Sequence, residues 1–303
     1  MSIPKSALSV DRINLAFVIA SIGGDDVIAM CDTLLRVMGP NDLVILVTNC
    51  TEPPNYGDRL IDPRFLHLHN TVRGASAARN RGLMEVISKY QNDISGLIFP
   101  NDKSIYTKKG IATARRFLTD NLDQKKIAVG GWKSPDGTTL LEPRIEYRSD
   151  LDLLRGYEPS FIVPISLLNQ GLRWNEKLGP GPSTALKSGD GAAFLLSAKY
   201  LGAQIVGSRD FTVINVNSCK NLKMRACAIK AFSYGVGYSW YLGSSTPKRK
   251  LRIFWLICYS GAPFIHYILR KPYWSDCGFV WTVFATTGRL AGLIIPRIRQ
   301  DYI

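Results

Sequence analysis

G-A-S-A-A-R-N-R-G-L runs from Gly74 to Leu83, and L-I-F-P-N-D-K follows from Leu97 to Lys103. The first block reads as a loop entering a helix, with Ser76 placed to cap a helix over residues 77–89. The second reads as a buried strand, residues 96–99, that stops at a charged turn. Working outward, Leu15 to Ser21 and Leu43 to Thr48 are short continuous apolar runs, which read as strands buried on both faces. Phe65 to His69 is a third, weaker strand. Val27 to Met38 has helical spacing and stops at Gly39-Pro40. Residues 107–121 read as helix and 127–132 as strand. Strand and helix alternate, which predicts an α/β fold: an open, mostly parallel sheet with helices on both faces. Ligands of such sheets sit beyond the carboxyl ends of the strands. Gly23, Thr48 and Asn101 fall at such ends, so a nucleotide site is expected there.

The second half is less regular. Gly179-Pro180-Gly181-Pro182 reads as a loop, Asp190 to Leu201 as helix, Val213 to Val216 as strand, and Leu222 to Leu242 as helix around Y-G-V-G-Y. A basic linker, Thr246 to Lys250, precedes two apolar stretches, Leu251–Leu269 and Gly278–Ile295. Each approaches the length of a membrane span. Their internal breaks and basic flanks favour helices lying in the interface over helices that span. The expected division is therefore residues 1–247 as the α/β domain and 248–303 as a helical membrane-associating segment.

The chain of 303 residues carries a formal charge of +14. That excess points to an anionic partner: nucleic acid, phosphate esters or a membrane surface. Residues 248–303 hold nine Lys/Arg, two Asp and 11 of the 31 aromatic residues. Basic residues interleaved with aromatic and aliphatic ones suit a bilayer interface. They do not form the polar basic stripe of a nucleic-acid binder, so no nucleic acid is expected as partner. Six scattered cysteines show no metal spacing, and the N-terminus has no apolar signal core, which suits a reducing cytoplasm. His67 and His69 read as ordinary strand histidines.

The two opening blocks together resemble the bacterial family 2 glycosyltransferases of the GT-A fold. That family carries S-x-A-R-N-x-G-L at a helix start and then a strand ending in Asp-x-Asp. The resemblance extends over roughly residues 13–295, with S-G-D-G-A-A-F-L (Ser188 to Leu195) at the family's G-E-D-x-D helix start. The Y-G-V-G-Y region and Gly288–Gly292 resemble the C-terminal part of members that act on lipid-linked sugars. The resemblance implies a nucleotide-sugar donor and a membrane-borne, lipid-linked glycan acceptor. It implies surface-polysaccharide synthesis with inversion, at the cytoplasmic face of the plasma membrane. Ser21 and Thr48 would face the nucleoside; Arg79, Asn80, Asp102 and Lys103 would surround the diphosphate.

Departures from the family pattern matter as much. The acidic triplet is here Asn101, Asp102 and Lys103, and Asn215 stands where the family often has a metal-binding histidine. In the family a divalent cation, Mg or Mn, bridges the donor diphosphate. Here Asp102 is the one acid of the triplet, and a lysine can neutralise a diphosphate directly. Gly191 stands at the expected base, which leaves Asp190 as the candidate base after a one-residue shift, or as a helix N-cap. The alternative function is a catalytically inactive scaffold or regulator of a polysaccharide assembly complex.

Overall fold

A computed structural model describes residues 13–49, 62–121, 124–181, 186–216, 224–245 and 278–294. The chain divides into two compact units: Met1–Asn175 with Phe194–Asn217, and Glu176–Ala193 with Ser218–Ile303. The boundary expected at 247/248 lies outside the described residues, as does the apolar stretch Leu251–Leu269.

The first unit holds the sheet. Its opening strands are β1 (Leu15–Ser21), β2 (Leu43–Thr48) and β3 (Phe65–His69), separated by α1 (Asp25–Val37). Helix α2 (Ala75–Lys89) leads to β4 (Gly96–Ile98), the short β5 (Ser104–Ile105) and α3 (Lys108–Asp120). Then come β6 (Lys126–Lys133), β7 (Thr139–Leu141), α4 (Asp150–Leu153), β8 (Phe161–Pro164) and α5 (Ile165–Asn169). Helix α6 (Asp190–Tyr200) precedes the long final strand β9 (Gln204–Asn215). Among the described residues the strand order is β3-β2-β1-β4-β8-β6-β9-β5, with β7 paired to β6.

The order β3-β2-β1-β4 is parallel throughout. Beyond it the sheet is mixed: β8 lies antiparallel between β4 and β6, β9 runs parallel to β6, and β5 pairs antiparallel with β9. The parallel half is thus as expected. The other half is not, because β8 is a four-residue strand, F-I-V-P, in a stretch with no sustained period.

Alternation along β1 and β2 assigns the two faces. Leu15, Phe17 and Ile19 of β1, with Val44 and Leu46 of β2, join one core with Val27, Met30 and Leu34 of α1 and Ile111, Ala114 and Leu118 of α3. The opposite face receives α2. A Cβ on Gly82 would sit 2.4 Å from Val18 Cγ1 and 3.3 Å from Val47 Cγ2. The glycine of the R-N-x-G-L block therefore lets the helix lie directly on β1 and β2. Cys31 belongs to the first core, and burial, with Asp32 nearby, pushes its thiol up to about 12. It is a packing residue, not a reactive one.

Helix starts follow local chemistry. Thr107 caps α3 by accepting the Gly110 N–H at 3.0 Å. Ser76 does not cap α2. The helix opens earlier, from Gly74 at φ +132, and Ser76 is a buried residue of its first turn. Asp42, between α1 and β2, is fully buried. It accepts from Leu15 N–H at 2.9 Å and Gly39 N–H at 2.7 Å and pairs with the Arg115 guanidinium. Arg115 also donates to the Ile13 carbonyl at 2.9 Å. One carboxylate thus ties the start of β1, the end of α1 and the body of α3.

In the second unit α7 (Met224–Ser245) and α8 (Gly278–Ile294) pack together. A Cβ on Gly235 would lie 2.3 Å from the Ala285 carbonyl oxygen, one on Gly288 2.1 Å from that of Phe232, and one on Gly292 2.6 Å from that of Val236. Small residues here let the two backbones touch. No described helix is long and apolar enough to cross a membrane.

Candidate active site

Within the first unit, the carboxyl ends of β1, β2 and β4 carry most of the residues singled out from the sequence. Ser21, the last residue of β1, accepts the Gly23 N–H on its hydroxyl at 3.0 Å and shapes the turn into α1. Thr48, the last residue of β2, is fully buried, and its hydroxyl shares a 2.9 Å hydrogen bond with His67 Nε2. Burial, with a smaller push from His69, lowers the His67 imidazole below its ordinary 6.5, so the ring is neutral near pH 7. Next to it Asn49 donates its amide to the Gly74 carbonyl at 3.1 Å, tying the end of β2 to the start of α2. Asn49 was not singled out; its partner lies 25 positions away, and no local pattern marks it.

Arg79 and Asn80 were expected at a diphosphate. The structure brings both to Trp174. The Arg79 guanidinium carbon lies 4.4 Å from the centroid of the indole, and Arg79 is itself buried. Asn80 grips the backbone of the same residue, donating to its carbonyl at 2.9 Å and accepting its N–H at 2.8 Å. Trp174 in turn stacks on Phe194 at 4.2 Å and meets Phe99, just past β4, edge-on at 5.1 Å. Within the A-R-N-R-G-L block Gly82 thus seats the helix, and Arg79 and Asn80 both engage Trp174 beside Phe99, just past β4.

The turn Asn101–Ser104 follows. Asn101 Oδ1 accepts the Lys103 N–H at 3.0 Å and the Ser104 hydroxyl at 2.8 Å, closing the turn on itself. Pairing of Ser104 with Asn215 and of Ile105 with Ile214 docks it on the end of β9. The Asn101 amide donates to the Tyr157 hydroxyl at 2.9 Å, and the Asn215 amide donates to the same oxygen at 2.5 Å. Trp132 of β6 stacks on the Tyr157 ring at 4.5 Å and 15°. Asp102 is half-buried in the turn. Lys103 reaches across to Asp26 in the first turn of α1, Nζ to carboxylate 3.5 Å, an exposed pair of little energetic weight.

This donor set does not fit a divalent cation. Hard cations need several oxygen ligands, mostly carboxylate. The turn offers Asp102 as its one carboxylate, followed by Lys103, whose ammonium pairs with Asp26, and directs the Asn101 amide, with that of Asn215 from β9, onto a phenol. Among the described residues, no three of His, Cys, Asp and Glu come together as a metal-holding group.

Asp190 belongs to the second unit, at the first turn of α6. It is buried, and its carboxylate lies against Gly179, where a Cβ would sit 2.7 Å from Oδ2; Gly179 has φ +89. The preceding Gly189 has φ +85, and the Ser188 hydroxyl donates to the Tyr234 carbonyl of α7 at 2.8 Å. Gly237 of α7 admits this loop: a Cβ there would lie 2.5 Å from the Ser188 oxygens. The two glycines of Y-G-V-G-Y thus serve different neighbours, Gly235 the helix α8 and Gly237 the loop that carries Asp190.

No protein-family model matches the chain, and no curated protein matches it. Solved structures do. S. aureus TarS 1-349 in complex with UDP-GlcNAc superposes with a TM-score of 0.58 at 12% identity, over 92% of this chain and 81% of that one. The same fragment with UDP gives 0.53 at 13% identity, over 96% and 94%. The mannosyltransferase PcManGT from Pyrobaculum calidifontis, in complex with GDP-Man and Mn2+, gives 0.54 at 12% identity, over 93% and 86%. Likeness at such identities speaks to architecture alone, and the architecture is that of the GT-A glycosyltransferases.

Proposed function

We propose that this chain is an inverting glycosyltransferase that moves a sugar from a nucleotide-sugar donor to a lipid-linked glycan acceptor in bacterial surface-polysaccharide synthesis, without a divalent cation. The observation that carries the proposal is the GT-A architecture with polar side chains gathered at the carboxyl ends of β1, β2 and β4. Solved structures of that architecture hold UDP-GlcNAc, UDP or GDP-Man.

In the transfer, an acceptor hydroxyl oxygen bonds to the donor's anomeric carbon as the bond from that carbon to the diphosphate oxygen breaks. The acceptor proton passes to the Asp190 carboxylate as general base, and the nucleoside diphosphate leaves with the bonding pair. Ser21 would face the nucleoside, with Thr48 buried behind it on His67; Asp102 and Lys103 would face the diphosphate, and Arg79 and Asn80 would support that end of the sheet by holding Trp174. Calorimetry against UDP-, GDP- and dTDP-sugars tests the donor assignment. Saturable binding of at least one donor is expected; no binding to any of them would favour the inactive scaffold.

The acceptor side is proposed to lie at the cytoplasmic face of the plasma membrane, held peripherally. Met224, Ile229 and Phe232 on α7, with Phe284 and Leu290 on α8, are exposed apolar side chains. The sequence from residue 248 onward adds nine Lys/Arg against two Asp. Apolar insertion plus attraction to anionic headgroups is the two-signal arrangement that gives stable peripheral binding. Full-length protein is expected to float with vesicles containing phosphatidylglycerol, and less with pure phosphatidylcholine. Equal partition into the non-floating fraction with both would defeat the assignment.

A further inference from the structure

Two positions that the family resemblance gives to metal ligands, Asn101 and Asn215, turn their amide nitrogens onto one atom, the Tyr157 hydroxyl oxygen, at 2.9 and 2.5 Å. An amide NH2 only donates, so the phenol oxygen must accept from both. A phenol oxygen that accepts two hydrogen bonds has one thing left to offer, its own proton. We infer that Tyr157 is a donor-binding residue, presenting its hydroxyl proton, with the Lys103 ammonium, to the diphosphate of a nucleotide sugar where the resembling enzymes use a divalent cation. This inference rests on the nucleotide-sugar reading above.

Three features support it. The phenol is held in place: Trp132 stacks on its ring, and the Tyr157 carbonyl accepts the Ser160 hydroxyl at 2.7 Å. The hydroxyl oxygen meets two amide donors, with the Ser104 hydroxyl also in reach and the Glu158 carboxylate acting on it from further off. Lys103, in the same turn as Asn101, is fixed by the Asn101 Oδ1 bond and by Val216 N–H donating to its carbonyl at 3.0 Å, and its ammonium pairs with Asp26 at 3.5 Å. Donors recognise anions, and a phosphate oxygen accepts strongly from both O–H and N–H. Burial, opposed by the bonds from Asn101 and Asn215, holds the phenol above its ordinary 10, so it keeps its proton across the working pH range. By whole-residue exposure Tyr157 and Lys103 are both half-buried.

The bland reading is that Tyr157 merely braces the turn. Phe keeps the stack on Trp132 and removes only the hydroxyl. The experiment is calorimetric titration of the full-length protein with UDP and with GDP, in EDTA and again in Mg2+ and Mn2+, with thermal unfolding as the folding control. The wild type is expected to bind one of the two within about twofold the same in all three media. Tyr157→Phe is expected to weaken that binding about tenfold or more, the size of one hydrogen bond to a charged group. Lys103→Met, which removes only the weak pair with Asp26 from the folded protein, should weaken binding similarly and flatten its dependence on ionic strength. Wild-type affinity in folded Tyr157→Phe, an unchanged salt slope in Lys103→Met, or wild-type binding that vanishes in EDTA would each overturn the inference. A wild type that binds neither these diphosphates nor any nucleotide sugar would instead remove the donor reading on which it stands.

Discussion

Asp42→Ala is expected to cost the first unit about 3–5 kcal/mol, the cost of removing one partner from a buried ion pair. The substitution strands the Arg115 guanidinium without its carboxylate and leaves the Leu15 and Gly39 N–H groups without their acceptor. Those groups belong to the first strand, the turn between α1 and β2, and α3, so the loss falls where the sheet is assembled. Domains are stable by about 5–15 kcal/mol in total, so the loss takes a substantial share of that margin and should lower the urea midpoint. Urea unfolding followed by circular dichroism would measure this. Asp42→Asn keeps an acceptor oxygen and should cost less than Asp42→Ala. A loss below about 1 kcal/mol in the alanine variant would mean that the pair contributes nothing beyond an ordinary surface contact.

The second large effect is on chemistry. Asp190→Asn should lower sugar transfer by about 10^2–10^4-fold, the range for loss of a general base, while leaving donor affinity unchanged. Asparagine has nearly the same shape, and the loop has its own supports in Ser188, Gly189 and Gly237. Folding should therefore survive, which separates a chemical defect from a structural one. Initial rates with the saturating donor and its acceptor are the measurement. Full transfer by Asp190→Asn would assign the carboxylate to the helix start alone.

The centre of the parallel half was legible because β1 and β2 are buried on both faces. L-A-F-V-I-A-S and L-V-I-L-V-T can be nothing but interior, and β1, β2 and β3 begin and end at the residues expected. The start of α2 was misread at Ser76. The capping signal is local, whereas the helix start is set by Gly74 and by the Asn49 side chain across from it. The candidate site was legible only as positions. What those side chains do depends on partners far off in sequence: Asn80 meets Trp174 94 positions away, and Asn101 and Asn215 meet Tyr157 56 and 58 positions away. Tyr157 sits in R-G-Y-E-P, a stretch with no motif and no period. Only the pairing of β5 with β9 brings the two asparagines to it. In sequence the altered triplet at Asn101–Lys103 reads as a lost metal site, with Lys103 able to meet a diphosphate directly. In three dimensions its first member is half of a built hydrogen-bonding arrangement.

The most direct measurement is a crystal structure of the protein grown with UDP or GDP in the presence of EDTA. The account predicts the diphosphate at the turn after β4, within hydrogen-bonding distance of the Tyr157 hydroxyl and the Lys103 ammonium. A diphosphate bound elsewhere, or bound at this turn only when Mg2+ or Mn2+ is added, would contradict it.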